Sequence, residues 1–104
     1  MKAGPRLRAV REQCGLSLRA VQAASIQIAS ERRNEAFVIS PSCLSGIETR
    51  NMVPSIYRLY SLALIYGRDM RELLAWYGVG LDNAQETLVC MPVQAALQTQ
   101  RSEP

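Results

Sequence analysis

Histidine is absent from all 104 residues, which removes the commonest general base and every Ser-His-Asp or Cys-His nucleophile arrangement. The three cysteines, Cys14, Cys43 and Cys90, are odd in number and none stands in CxxC spacing. Neither a disulfide framework nor a metal site is expected, and the thiols read as reduced, structural groups of a cytoplasmic protein. Asp69, Glu72 and Asp82 read as helix caps and surface charges, and no Gly-rich phosphate loop is present. The chain is therefore not expected to be an enzyme, and no cofactor, metal or small-molecule substrate is assigned to it. The chemistry that remains belongs to arginine. Residues 1–77 hold eleven Lys/Arg against six Asp/Glu, whereas residues 78–104 hold one against three. A basic globular part with a weakly acidic tail fits an anionic partner on the first part.

The elements carrying these charges read as helices. Apolar residues make up 48% of the chain and aromatic ones 6%, with few alternating apolar and polar runs, so strands are not favoured. No apolar run approaches the roughly 20 residues of a membrane span, and the opening MKAGPRLRAV has no apolar core of a secretory signal. Helical spacing begins after Pro5, with Leu7, Val10 and Cys14 on one stripe and Gly15 as its stop. Ser17 caps a long second helix carrying Leu18, Val21, Ala24, Ile28 and Ala29, which runs to Arg33 with Asn34 as a left-handed terminator. Phe37 and Ile39 turn inward from a short apolar segment. Ser40-Pro41 starts a third helix with Leu44 and Ile47 as a core pair, and Arg50 to Val53 is a loop. Pro54-Ser55 opens a fourth helix that buries Ile56, Leu59, Leu62, Ala63 and Tyr66 and ends at Gly67. Asp69 with Glu72 forms a capping box for a short fifth helix, whose apolar face is Met70, Leu73, Leu74 and Tyr77. Residues 1–78 thus make one domain. Residues 79–104 read as a weakly structured tail or linker, in which Val93, Ala96 and Leu97 offer one further turn at most.

Three segments carry a resemblance to a known family: Leu7-Arg8-Ala9-Val10-Arg11-Glu12 through Gly15-Leu16-Ser17-Leu18, then Ile39 through Glu48, then Pro54-Ser55-Ile56-Tyr57-Arg58-Leu59 onward to Leu73-Leu74. Over residues 6–77 the chain resembles the lambda-repressor-like (Cro/repressor, XRE-type) helix-turn-helix domains, and the Glu48-to-Pro54 spacing follows their pattern. The resemblance implies an all-α, compact five-helix domain with an extended second helix and a C-terminal tail. It further implies a DNA-binding transcriptional regulator, with double-stranded DNA and a second copy of the chain as partners, and no membrane. Residues 26–39 depart from the family as an insertion between the second and third helices. Leu18 stands where a glutamine is common, and Arg50 where a glycine usually ends the helix.

In that family the third helix points its N-terminal residues at base edges in the major groove while the second crosses the backbone. The resemblance places Ser40, Pro41, Ser42, Ser45 and Gly46 on the exposed reading face, with Cys43 partly turned in. Serine hydroxyls discriminate bases poorly beside the about 1–3 kcal/mol of a bidentate Arg or Gln contact, and this helix has no arginine or glutamine of that kind before Arg50. Arg19, Arg32, Arg33, Arg50 and Arg58, with Asn51, are the phosphate-contact candidates; the alternative for each is an ordinary solvated surface. Arg11 and Glu48 fall where the family has an ion pair that locks the first helix to the third. The insertion either reaches an extra phosphate through Arg32 and Arg33 or only packs Ile28 and Phe37 over the core. Trp76 and Tyr77 are either core rim or an exposed partner patch. Two functions stay open: a regulator that reads DNA, or a protein–protein interaction module that kept the fold and lost base reading, as Pro41 and Gly46 suggest. Salt-dependent duplex binding separates them.

Overall fold

A computed structural model describes residues 2–80. Among them the chain forms five α-helices, one 3-10 turn and no strand: α1 (Ala3–Gln13), α2 (Leu18–Arg32), the turn (Glu35–Phe37), α3 (Pro41–Thr49), α4 (Ile56–Tyr66) and α5 (Met70–Trp76). The remainder of the expected tail, with Asp82, Cys90 and the turn at Val93, Ala96 and Leu97, lies outside the described residues.

Caps fix where these helices start. Ser17 Oγ accepts from Ala20 N at 3.0 Å, Ser40 Oγ from Cys43 N at 3.1 Å and Ser55 Oγ from Arg58 N at 3.2 Å, each satisfying an N–H that a first turn leaves without a partner. Helix α1 begins earlier than its spacing suggests, with Pro5 inside the first turn. The missing proline N–H costs nothing there, since the first N–H groups of a helix have no internal acceptor. Gly4 lets this first turn lie close against α3. It is buried against α3, and a Cβ at its position would stand 2.6 Å from Ile47 O and 2.7 Å from Glu48 O. At α5 the Asp69 carboxylate accepts from Arg71 N, but Glu72 meets Arg68 at 2.7 Å, so the expected capping box is half made.

One core joins all five helices. Leu7 and Val10 of α1, Val21 of α2, Leu44 and Ile47 of α3, Leu59, Leu62, Ala63 and Tyr66 of α4 and Leu73 of α5 close around Ile39, which is fully buried. Cys14 lies outside it: the residue is exposed at the end of α1 and does not continue the Leu7–Val10 stripe. Ile56, expected inside, is 66% exposed because it opens α4 one turn before the buried stripe begins at Leu59.

The extra residues between α2 and α3 lengthen α2 and then cross to α3 through the 3-10 turn. Arg33, not Asn34, takes the left-handed conformation (φ 54°, ψ 43°); Asn34 is extended and its Oδ1 caps the turn by accepting from Ala36 N at 2.9 Å. Three side chains hold the crossing by its backbone. Ser25 Oγ accepts from Ile39 N at 2.9 Å, Ser61 Oγ donates to Phe37 O at 2.8 Å, and Arg58 Nε donates to Val38 O at 3.1 Å. Phe37 is half-buried, edge-on to Tyr57 and Tyr60 at centroid distances of 5.3 and 5.7 Å.

Candidate nucleic-acid interface

Helix α3 is gripped from its inner side. Arg11 Nε donates to Glu48 Oε2 at 2.7 Å and its NH2 to Oε1 at 3.0 Å, a two-pronged pair; its NH1 donates to Leu16 O at 2.8 Å. Glu48 is 5% exposed. The planar guanidinium matches both carboxylate oxygens at once, so the pair fixes direction as well as distance. The bond to Glu48 raises the Arg11 pKa above its ordinary value, with burial working against it. Tyr66 lies against the same pair. Burial, then the negative charge of Glu48, pushes its phenol well above the ordinary range, and its buried Oη has no hydrogen-bond partner among the described residues.

The outer side of α3 carries hydroxyls. Ser42 and Thr49 are exposed and Ser45 half-exposed, which at spacings of three and four residues places them along one helix face. Thr49, not singled out from the sequence, is discoverable by that spacing alone; its Oγ1 donates to Ser45 O at 2.7 Å. Ser40 is occupied as the cap, within 3.4 Å of Ser42 Oγ, and Pro41 is half-buried in the first turn. Gly46 is the correction on this face. It is buried beneath Met52 and Arg50: a Cβ there would collide with the Met52 sulfur and stand 2.9 Å from an Arg50 guanidinium nitrogen. The chain folds back after α3, with both Arg50 N and Met52 N donating to Gly46 O. The helix therefore offers hydroxyls and a methionine lid where Gly46 was expected to lie open.

The candidate phosphate contacts divide. Arg19, in the first turn of α2, and Arg33 and Arg50 are exposed, and none is ion-paired among the described residues. Asn51, also exposed, takes the left-handed conformation (φ 60°) that ends the α3 turn. Arg32 and Arg58 are tied inward instead. Arg32 donates to Tyr60 Oη at 2.6 Å and lies over that ring at 5.1 Å, while Arg58 holds the Val38 carbonyl. Both braces follow from the longer α2, whose end reaches α4 and leaves crossing carbonyls to be satisfied. The four described ion pairs use Arg8, Arg11, Arg68 and Arg71.

Trp76 and Tyr77 do not form an exposed patch. Both are half-buried against the core, Arg6 lies 5.7 Å over the Trp76 ring, and burial pushes the Tyr77 phenol up to about 12. The exposed apolar side chains are elsewhere, on Met52, Val53, Ile56, Tyr57 and Leu64 among others. Among the described residues no cluster of His, Cys, Asp and Glu side chains could hold a metal ion, and no helix is long and apolar enough to cross a membrane. No family model, no curated protein and no solved structure matches the chain.

Proposed function

We propose that this chain is a DNA-binding transcriptional regulator of the lambda-repressor-like helix-turn-helix kind, acting in the cytoplasm without catalysis, with α3 as its reading helix. The observation that carries this reading is the asymmetry of α3. Its inner side is clamped by the buried Arg11–Glu48 pair, while its outer side presents Ser42, Ser45 and Thr49; Arg50, which ends α3, and Arg19, in the first turn of α2, are exposed and in no ion pair among the described residues. Hydroxyls on an exposed helix face, in a domain with arginines free of carboxylates, suit a duplex: hydroxyls meet base edges or phosphates, and arginines neutralise the backbone. Arg33, at the end of α2, is a further candidate clamp.

A second reading has its own support. With Gly46 covered and no exposed long polar side chain on α3 before Arg50, base discrimination is poor, so the same domain could serve as a protein–protein interaction module that no longer reads sequence. The separating experiment is fluorescence anisotropy of the full chain with a mixed-sequence duplex, titrated in salt. The expected result is binding whose logarithm falls linearly with the logarithm of salt, by about 0.9 per neutralised phosphate. Arg19→Ala and Arg50→Ala should each make the slope shallower by about one, with the ion-paired Arg68→Ala as the unchanged control. Absence of binding at low salt overturns the duplex reading in favour of the interaction module.

A further inference from the structure

Ser42, Ser45, Gly46 and Thr49 stand three and four residues apart and so share one face of α3. The hydroxyls there are partly engaged. Thr49 gives its proton to Ser45 O at 2.7 Å, which leaves a methyl as the apolar end of that side chain, and Ser42 Oγ lies 3.4 Å from the cap Ser40 Oγ. At Gly46 the face has no side chain of its own. A glycine inside a helix is less stable than an alanine, and the space it leaves is taken by Met52, whose sulfur lies where a Cβ would project. The loop after α3 delivers this side chain at three fixed points. Asn51 turns left-handed (φ 60°), Met52 N donates to Gly46 O at 3.2 Å, and the Met52 sulfur accepts from an Arg50 guanidinium N–H at 3.9 Å. Met52 is nonetheless 43% exposed, and Val53 beside it 75%.

We infer that Met52 serves as a side chain of the α3 reading face and recognises thymine by its C5 methyl group. The inference rests on the duplex reading and deepens it. Base edges in the major groove are told apart in two ways, by paired polar contacts and by apolar contact with the thymine methyl. The first needs a long polar side chain, and the one on α3 is Glu48, which is buried and paired to Arg11. The second needs an exposed apolar group held against the helix, and Met52 supplies it. Its thioether is soft and polarisable, on an unbranched stem that moulds to what it meets. Merely filling the place at Gly46 needs no loop, since an alanine there would do so from within the helix. Charge agrees as well. Residues 36–68 contain one acid, the paired Glu48, whereas Arg50, adjoining Met52, is in no ion pair among the described residues. A polyanion therefore approaches Met52 past a cation and no free carboxylate.

The test is fluorescence anisotropy of the full chain with two duplexes of equal length, one of alternating adenine and thymine, the other with uracil in place of every thymine. Phosphates and polar base edges are the same in both, and the methyls alone differ. The thymine duplex should bind about fourfold more tightly for each methyl contacted. Met52→Ala should bring the two duplexes to equal affinity, and Met52→Leu, apolar and of similar volume, should keep the preference. Neither change removes the backbone bond to Gly46 O, and the salt slope, which counts neutralised phosphates, should stay that of the parent in both. Salt-dependent binding without a preference for thymine overturns the inference and leaves the duplex reading standing, as does a preference that survives Met52→Ala. Absence of binding to either duplex overturns both.

Discussion

Arg11 and Glu48, 37 residues apart in the chain, meet by two hydrogen bonds in a site where the glutamate side chain is 3% exposed. Removing one partner leaves the other charged, buried and unmatched. Arg11→Ala and Glu48→Ala should therefore each cost about 3–5 kcal/mol of unfolding free energy. The double replacement Arg11→Met/Glu48→Leu should cost much less than the sum, because desolvating the pair offsets most of its attraction. Urea denaturation of the three variants checks this. Additive losses would mean that the two residues act separately, Arg11 through Leu16 O and Glu48 through packing.

Ser25 and Ile39 give a second prediction. The Ser25 hydroxyl, fully buried in α2, accepts from Ile39 N and donates to Gln22 O, at 2.9 and 2.7 Å. Ser25→Ala leaves a buried N–H without its acceptor and should cost about 1–3 kcal/mol. Ser61→Ala, which strips the Phe37 carbonyl of its donor, should act in the same direction. Amide exchange at Ile39 should accelerate in Ser25→Ala beyond what the global loss explains. Exchange that follows global stability alone would show that the crossing is held by the burial of Ile39 and not by the hydroxyl.

These two contacts mark where the sequence is legible and where it is not. The caps at Ser17, Ser40 and Ser55 and the core stripes are local: each depends on residues within one or two turns, so spacing reveals them. Ser25 and Ser61 look like ordinary helix-surface serines, because what buries them is a backbone segment 14 and 24 residues away. Gly46 fails for a related reason. Its place on α3 is readable, but the return of Met52 over it depends on Asn51 adopting a left-handed turn. Arg32 and Arg58 read as cations free for phosphate, whereas the lengthened α2 brings one to Tyr60 and the other to Val38 O. Long-range satisfaction of backbone groups was invisible, and even local spacing misplaced the end of α2 by one residue, at Arg33 and not Asn34.

Tyr66 and Tyr77 set the alkaline limit. Burial is the leading cause of both shifts, and Tyr77 rises from 10.0 to about 12. The folded-state pKa is raised, so the contribution is fully present below pH 10.0 and is lost as pH climbs through about 12, where the unfolded chain ionises first. Stability should accordingly fall over that window, and Tyr77→Phe should flatten the fall. Tyr66→Phe should do the same and also hold or raise stability at neutral pH, since it removes a buried hydroxyl with no described partner. Urea midpoints from pH 7 upward test both; an unchanged alkaline limb in the two variants would place the limit in other groups.

Arg33 occupies a position that the ends of α1, α4 and α5 give to glycine. Gly15, Gly67 and Gly78 have φ of 67–86°, and the residue following each donates back across the last turn, as Leu16 N does to Arg11 O and Arg68 N to Ala63 O. At the end of α2 the same two bonds form, Arg33 N to Ser30 O and Asn34 N to Ala29 O, but the left-handed residue is arginine. A side chain there costs about 1–2 kcal/mol in steric strain, so Arg33→Gly should raise the unfolding free energy by about 1 kcal/mol after glycine's own entropy loss. An arginine kept at that cost points to use of its charge, and the stabilised variant should then bind duplex more weakly, with a salt slope shallower by about one. Greater stability with an unchanged slope would remove Arg33 from the interface. Lower stability would mean that its side chain supports the end of α2 by contacts worth more than the strain.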